Sequence, residues 1–196
     1  MFLTIKQKGI GLYKEKGSKF IGEAQLCSSE KEAKSMILIL RKQHPGCVHV
    51  CYAYRFGSDK KEFRYSDDGE PSNTAGAPIF GQIKSANLTN ILLTVVRYYG
   101  GTNLGVGGLI QAYKTASKLA IENAVIFQDE DRKIFNIAFS YHDLPFVMNE
   151  IKASNCLIIS KAFDEAPTIS LSVPCSNNSL MENLNKIGSL KVKEQH

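Results

Sequence analysis

No stretch of this chain stays apolar for the ~20 residues that crossing a bilayer requires. Runs such as "MILIL" and "ILL" are far shorter, which excludes a helical membrane span. The opening segment, "MFLTIKQKGIG", lacks the apolar stretch of a secretion signal. There is no CxxC pair and no low-complexity tract. Five cysteines, an odd number without secretory context, point to reduced, mostly buried thiols. These absences predict a cytoplasmic globular protein with no membrane partner. Its 196 residues suit one large domain or two small ones.

The positive charge is uneven. Residues 1–130 hold 17 basic and 12 acidic side chains and residues 131–196 hold seven of each, so the net +5 lies wholly in the first part. An anionic partner is compatible with that balance but not required by it.

Pattern along the chain predicts an α+β protein. "GIGLYKEKGSKFIGEAQLC" reads as two strands around the turn "KEKGSK", and "SSEKEAKSMILILRKQHPG" as a helix capped by Ser28 or Ser29, with Ala33, Met36, Ile37 and Leu40 as its stripe. "HVCYAYRFG" alternates as a strand. A charged arm, "KKEFRY", and a long polar loop follow. "APIFGQIKSA" is a helix with Pro78 in its first turn, "ILLTVVRYY" a buried strand, and "GLIQAYKTASKLAIENA" a strong helix. The acidic stretch Phe127–Lys133 reads as a turn, with a boundary near Asp131 between domains 1–130 and 131–196. Beyond it the elements restart in the order β-α-β-β-α-β, which is ferredoxin-like.

Three constellations can carry chemistry. "RYYGGTNLGVGGLIQAYK" sets five glycines, Gly100, Gly101, Gly105, Gly107 and Gly108, between a buried strand and a helix. Unpaired N–H groups and a positive dipole end at a helix start suit an anion; a tight, closely packed turn uses glycine equally well. The loop fits neither a Walker A motif nor GxGxxG. Arg97 and Lys114 are candidate phosphate ligands, and Tyr98 or Tyr99 a candidate stacking ring. Arg97 and Tyr99 share one face of a strand and Tyr98 takes the other. The second constellation is Asp67, Asp68 and Glu70, a set that suits Mg²⁺ or general-base work, with His49 as a further participant; a solvated turn explains it as well. The third is "HPGCVHVCYAY". Zinc is disfavoured there because Cys47 and Cys51 on one strand stand about 13 Å apart, and Cys–His nucleophilic catalysis lacks an orienting third group. Basic and aromatic residues also alternate in "YKEKGSKF", "YAYRF", "KKEFRY" and "RYY", a pattern that can stack bases and pair phosphates or simply clothe a solvated sheet.

"SKFIG", "HPGCVHVCYAYRFG", "YSDDGEPSNTAGAPI" and "VVRYYGGTNLGVGGLIQAY", in that order, resemble the IMPACT (YigZ-like) family, in its bacterial two-domain form. One departure is visible: His49-Val50 stands where relatives commonly carry two histidines. The resemblance implies an N-terminal α/β domain like one in a small-subunit ribosomal protein and in GHMP kinases. It also implies a ferredoxin-like C-terminal domain similar to a late domain of elongation factor G. It implies a role in translational control under amino-acid starvation, no established reaction and no cofactor, and RNA, the ribosome or a translation factor as partner. A metal-assisted hydrolase or phosphotransferase using the acidic and glycine loops is the alternative.

Overall fold

The computed structural model describes residues 1–164, 166–186 and 190–195. It is a mixed α/β chain of two compact units, Met1–Asp129 and Glu130–His196.

The first unit is built on a five-stranded antiparallel sheet, ordered β2 (Gly9–Glu15), β3 (Ser18–Leu26), β6 (Ile91–Tyr98), β4 (His49–Phe56), β5 (Glu62–Ser66). The unbroken apolar run of β6 belongs at the centre, and Ile91 to Val96 are buried there on both faces. Helix α1 (Glu30–Gln43) covers one face; its Ala33, Met36, Ile37 and Leu40 pack on Tyr54, Phe56, Leu92, Val50 and Val96. Ser29 caps it, accepting from the Glu32 amide at 3.3 Å. Helices α2 (Gly76–Ser85) and α3 (Gly105–Glu122) cover the other face.

The glycines of β2 and β3 let α3 sit almost on the sheet backbone. Gly11 and Gly22 are cross-strand partners, and a Cβ on Gly22 would lie 2.4 Å from the Ala116 carbonyl oxygen. The hairpin between these strands turns on Lys16 (φ 44°) and Gly17 (φ 78°), both left-handed.

One segment departs from its expected form. Phe127–Lys133 is not a turn: Val125–Asp129 forms strand β7, paired antiparallel with β1 (Phe2–Gln7), and β8 starts at Arg132. Only Glu130 and Asp131 lie between strands. Acidic composition argued for a turn, but cross-strand pairing with β1 satisfies the backbone and overrides that local preference.

The second unit runs β8 (Arg132–Ala138), a short 3-10 turn (Tyr141–Asp143), α4 (Leu144–Ala153), β9 (Leu157–Ala162), β10 (Thr168–Pro174), α5 (Asn178–Asn185), β11 (Lys191–Gln195). The sheet order is β11-β8-β10-β9, all antiparallel, so the element order is the ferredoxin-like one. Ile137, Val147, Ile151, Ile169, Leu171, Leu180 and Leu184 form its core. The expected end of the last helix, at Ile187–Gly188, lies outside the described residues. All five cysteines are free, but only Cys27 and Cys51 are buried; Cys47 and Cys156 are half-buried and Cys175 is exposed.

Candidate functional site

Strand register gathers the first set of side chains. Tyr13, Phe20, Arg97 and His49 are successive cross-strand neighbours on β2, β3, β6 and β4, all on the α3 side of the sheet. Tyr113 descends onto this row from α3, its ring edge-on to Phe20 at 5.2 Å. The acidic loop supplies the remaining member. Glu70 Oε1 accepts from Arg97 Nη1 at 2.5 Å and from the Tyr113 hydroxyl at 2.7 Å. The acidic loop and the strand and helix that flank the glycine loop therefore meet at Glu70.

Arg97 is a buried structural cation. It is 6% exposed, paired with Glu70 and flanked by the rings of Phe20 and Tyr99, each 5.5 Å from its guanidinium carbon. Its charge is already neutralised, which corrects the expectation of an open phosphate ligand. Among the described residues its Nε has no hydrogen-bond partner.

The acidic residues do not act as one cluster. Asp67 turns inward and accepts from the amides of Asn73 (2.9 Å), Ala75 (3.0 Å) and Gly76 (2.8 Å), so it caps α2 from nine residues away. Gly76 has to be glycine, since a Cβ there would meet the Ser66 backbone at 2.8 Å. Asp68, at φ 46°, binds Arg41 Nη2 through both oxygens (2.7 and 2.8 Å) and accepts from the Val50 amide at 2.6 Å. Each carboxylate is held by different donors, so the geometry does not gather Asp67, Asp68 and Glu70 around a common point. Among the described residues no three His, Cys, Asp or Glu side chains are set to hold a metal ion.

His49 donates from Nδ1 to the Asp68 carbonyl at 2.7 Å, because a carbonyl can only accept. Its Nε2 stands 3.9 Å from Glu70 Oε1, beyond hydrogen-bond reach. Two positions on, Cys51 donates to the Asp67 carbonyl (3.0 Å) and approaches the Tyr113 hydroxyl (3.3 Å). Burial pushes the Cys51 thiol and the Tyr113 phenol well above their ordinary values, so both stay neutral at physiological pH. A neutral buried thiol is a poor nucleophile, which argues against Cys51 in that role.

These shifts have a measurable consequence. Burial also pushes Cys27 up to about 11 from an ordinary 9.0. A thiol whose folded value is raised stabilises the fold fully below its unfolded value, and that contribution is lost as pH rises from about 9 through the folded value. Urea unfolding should therefore show stability declining above pH 9. In Cys27→Ala the slope should be shallower by up to ~1.4 kcal/mol per pH unit, one proton's worth. Identical slopes for the two proteins would refute the assignment.

The glycines of the second loop divide by cause. Gly100 is a packing glycine: its Cβ would lie 1.9 Å from the Gly17 carbonyl carbon, and its amide donates to Ser18 Oγ at 3.1 Å. Gly101 (φ 84°) and Gly105 (φ 70°) adopt left-handed backbone. Gly108 packs against Leu104, 3.0 Å from a would-be Cβ. Gly107 has neither reason. Its φ is ordinary, and among the described residues nothing lies within 4 Å of where its Cβ would be. Among the described residues no side chain caps the start of α3.

Tyr98 and Tyr99 part as expected. Tyr98 lies on the α1 side, its hydroxyl 2.8 Å from His44 Nδ1 and Lys19 Nζ 5.7 Å from its ring centre. Tyr99 is 47% exposed and donates to Asn103 Oδ1 at 3.2 Å. Lys114 is exposed but nine residues into α3 from Gly105, about 13 Å along the axis. It does not stand beside the loop.

Sequence reasoning named no lysine of the neighbouring hairpin as a site residue. The contact of Gly17 and Ser18 with Gly100 seats the β2–β3 hairpin turn against the glycine loop. That turn carries Lys14, Lys16 and Lys19, with Lys14 and Lys19 directly opposite across the strands. Facing like charges is unfavourable, and so is a left-handed lysine at position 16. The only advance signal was the basic-aromatic alternation of "YKEKGSKF".

Residues 16–121 match the family model of the Impact N-terminal domain. YvyE of Bacillus subtilis, an IMPACT family member, is 32% identical over 157 residues, 80% of this chain and 72% of that protein. The IMPACT family member YigZ of Escherichia coli is 34% identical over 131 residues, 66% and 64% of the two. A Thermus thermophilus member is 40% identical over 107 residues, 55% and 56%. A crystal structure of a hypothetical protein superposes with a TM-score of 0.75 at 26% identity, covering 97% of this chain and 95% of that one. No helix among the described residues is long and apolar enough to cross a membrane. The matched segment runs from the lysine hairpin turn through the acidic loop to the end of α3, and with these relatives it shows that the chain belongs to the IMPACT family.

Proposed function

We propose that this chain is a regulator of translation that binds the phosphate backbone of RNA at the start of α3, as a binding protein rather than an enzyme. The observation that carries this reading is Gly107. Glycine in a helix costs stability relative to alanine, by up to ~1 kcal/mol. Neither backbone conformation nor packing requires it at position 107. Bare backbone at an uncapped helix start lets a phosphate approach the N–H groups. Lys16 supplies positive charge on the adjoining turn. Tyr99, half exposed with Arg97 against its ring, stands beside the same loop. The fold kinships implied by the family resemblance, to a ribosomal protein and to an elongation factor, favour ribosomal RNA or a ribosome-bound RNA as the ligand. Against catalysis stand the neutralised Glu70 and the neutral Cys51 thiol.

The test is Gly107→Ala. Its helix should be as stable as before or slightly more so, while affinity for RNA falls. Wild-type affinity should decline with salt at a log–log slope of about −0.7 per phosphate contacted on a single strand, and Lys16→Ala should flatten that slope by about one contact. Undiminished RNA affinity in Gly107→Ala would overturn the proposal.

A further inference from the structure

The outer strand β5 carries two large aromatic side chains that the fold leaves open. Phe63 is 51% exposed and Tyr65 is 40% exposed. Two residues apart, they share the α2 side of the sheet, their Cα atoms about 7 Å apart along the strand. Each lies nearly parallel to the buried ring of Phe80 on α2: Phe63 at 4.7 Å and 13°, Tyr65 at 5.8 Å and 23°. Phe80 thus fixes their orientation by stacking against them while leaving about half of each side chain exposed. Lys84 lies across the same ring, its Nζ 5.3 Å from the Phe80 centre. The alternating residues of β5 face the other way, where Arg64 pairs with Glu30 at 3.3 Å. Strand alternation therefore puts the two aromatic rings on one side, where Lys84 of α2 lies beside them, and Glu62 and Arg64 on the other.

Edge strands are ordinarily guarded by charge, because open apolar edges invite aggregation. Two pre-oriented rings with a cation beside them are a costly thing to leave on such an edge. They match what an unpaired nucleotide requires, a flat apolar surface for the base and a positive charge for the phosphate. We infer that Phe63 and Tyr65 form a base-stacking platform that selects single-stranded RNA. The inference rests on the reading of the chain as an RNA-binding protein and names the form of RNA it takes. A duplex keeps its bases stacked on each other and cannot offer them to the rings.

The experiment uses the full chain and three fluorescein-labelled probes: an adenosine 12-mer, an abasic 12-mer of equal charge, and a 12-base-pair RNA duplex. The adenosine 12-mer should bind at least about fivefold tighter than the other two, as one stacked base requires. The double variant Phe63→Leu, Tyr65→Leu keeps apolar cover over Phe80 but removes the π faces. It should lose roughly 5- to 150-fold in affinity for the adenosine 12-mer per base unstacked, with an unchanged salt slope and unchanged affinity for the abasic probe. The chain has no tryptophan, so Phe63→Trp introduces a single indole whose emission should be quenched by the adenosine 12-mer and not by the abasic one. Wild-type affinity in the double variant, or duplex bound as tightly as single strand, overturns the platform even if Gly107→Ala weakens binding. That pattern would leave this edge to a protein strand. Failure of the wild-type chain to bind any probe overturns the platform and the RNA reading together.

Discussion

Replacing Glu70 with alanine should cost about 3–5 kcal/mol of folding stability, the typical penalty for breaking a buried ion pair from one side. The site explains why. Glu70 Oε1 receives both Arg97 Nη1 and the Tyr113 hydroxyl, and Arg97 is 6% exposed. Alanine would leave a buried guanidinium without its counter-charge, its Nε already unpartnered among the described residues, and a buried hydroxyl without its acceptor. A domain typically has only ~5–15 kcal/mol in hand, so the loss is a large fraction of the total. Arg97→Ala should be similarly damaging, whereas its RNA affinity per folded molecule should be close to wild type, because its charge is already spent. Urea unfolding followed by circular dichroism reads the first quantity and filter binding the second. A Glu70→Ala loss under ~1 kcal/mol would show that the pair is solvated rather than buried. An Arg97→Ala protein that folds normally but releases RNA would restore Arg97 as a phosphate ligand.

The second large effect is expected at Asp67. Its carboxylate accepts from three main-chain amides, two of them at the start of α2, a helix with no side-chain cap of its own. Hydrogen bonds to a charged acceptor contribute ~1.5–3 kcal/mol, and orphaned buried donors add to the cost of losing them. Asp67→Ala should therefore destabilise the first unit by at least about 2 kcal/mol. It should also speed hydrogen exchange at the Ala75 and Gly76 amides before it changes exchange in β6. Asp67→Asn keeps one acceptor oxygen and should retain part of the protection. Equal exchange at these amides in Asp67→Ala and wild type would mean that α2 is held without the carboxylate. The same side chain read as a metal or general-base candidate from composition is, on this account, a helix cap.

The sequence by itself determined the parts of this protein that depend on short-range pattern. The apolar run of Ile91–Val96 had to be a buried strand, Ala33, Met36, Ile37 and Leu40 had to be the packed stripe of a helix, and the elements after residue 131 had to follow the order β-α-β-β-α-β. Those readings rest on periods of two and 3.6 residues, which each segment carries within itself. The strand parity that separates Tyr98 from Tyr99 belongs to the same class.

Tertiary structure alone decided who pairs with whom. Phe2–Gln7 and Val125–Asp129 become strands by finding each other across most of the unit, and neither segment carries a pattern strong enough to announce this alone. Asp67, Asp68 and Glu70 are near neighbours in sequence, yet one caps α2, one holds Arg41 and one neutralises Arg97. A turn with left-handed residues at Asp68 and Gly69 points successive side chains in divergent directions, so their proximity along the chain says little about a shared target. Lys16 came to lie beside the glycine loop for the converse reason: the hairpin turn packs backbone to backbone on Gly100, a contact between residues more than eighty positions apart. Local sequence sets each backbone's conformation within a few residues, whereas the partner of a charge depends on strand register and on where a loop returns, and both are settled only when the sheet and its helices close on a common core.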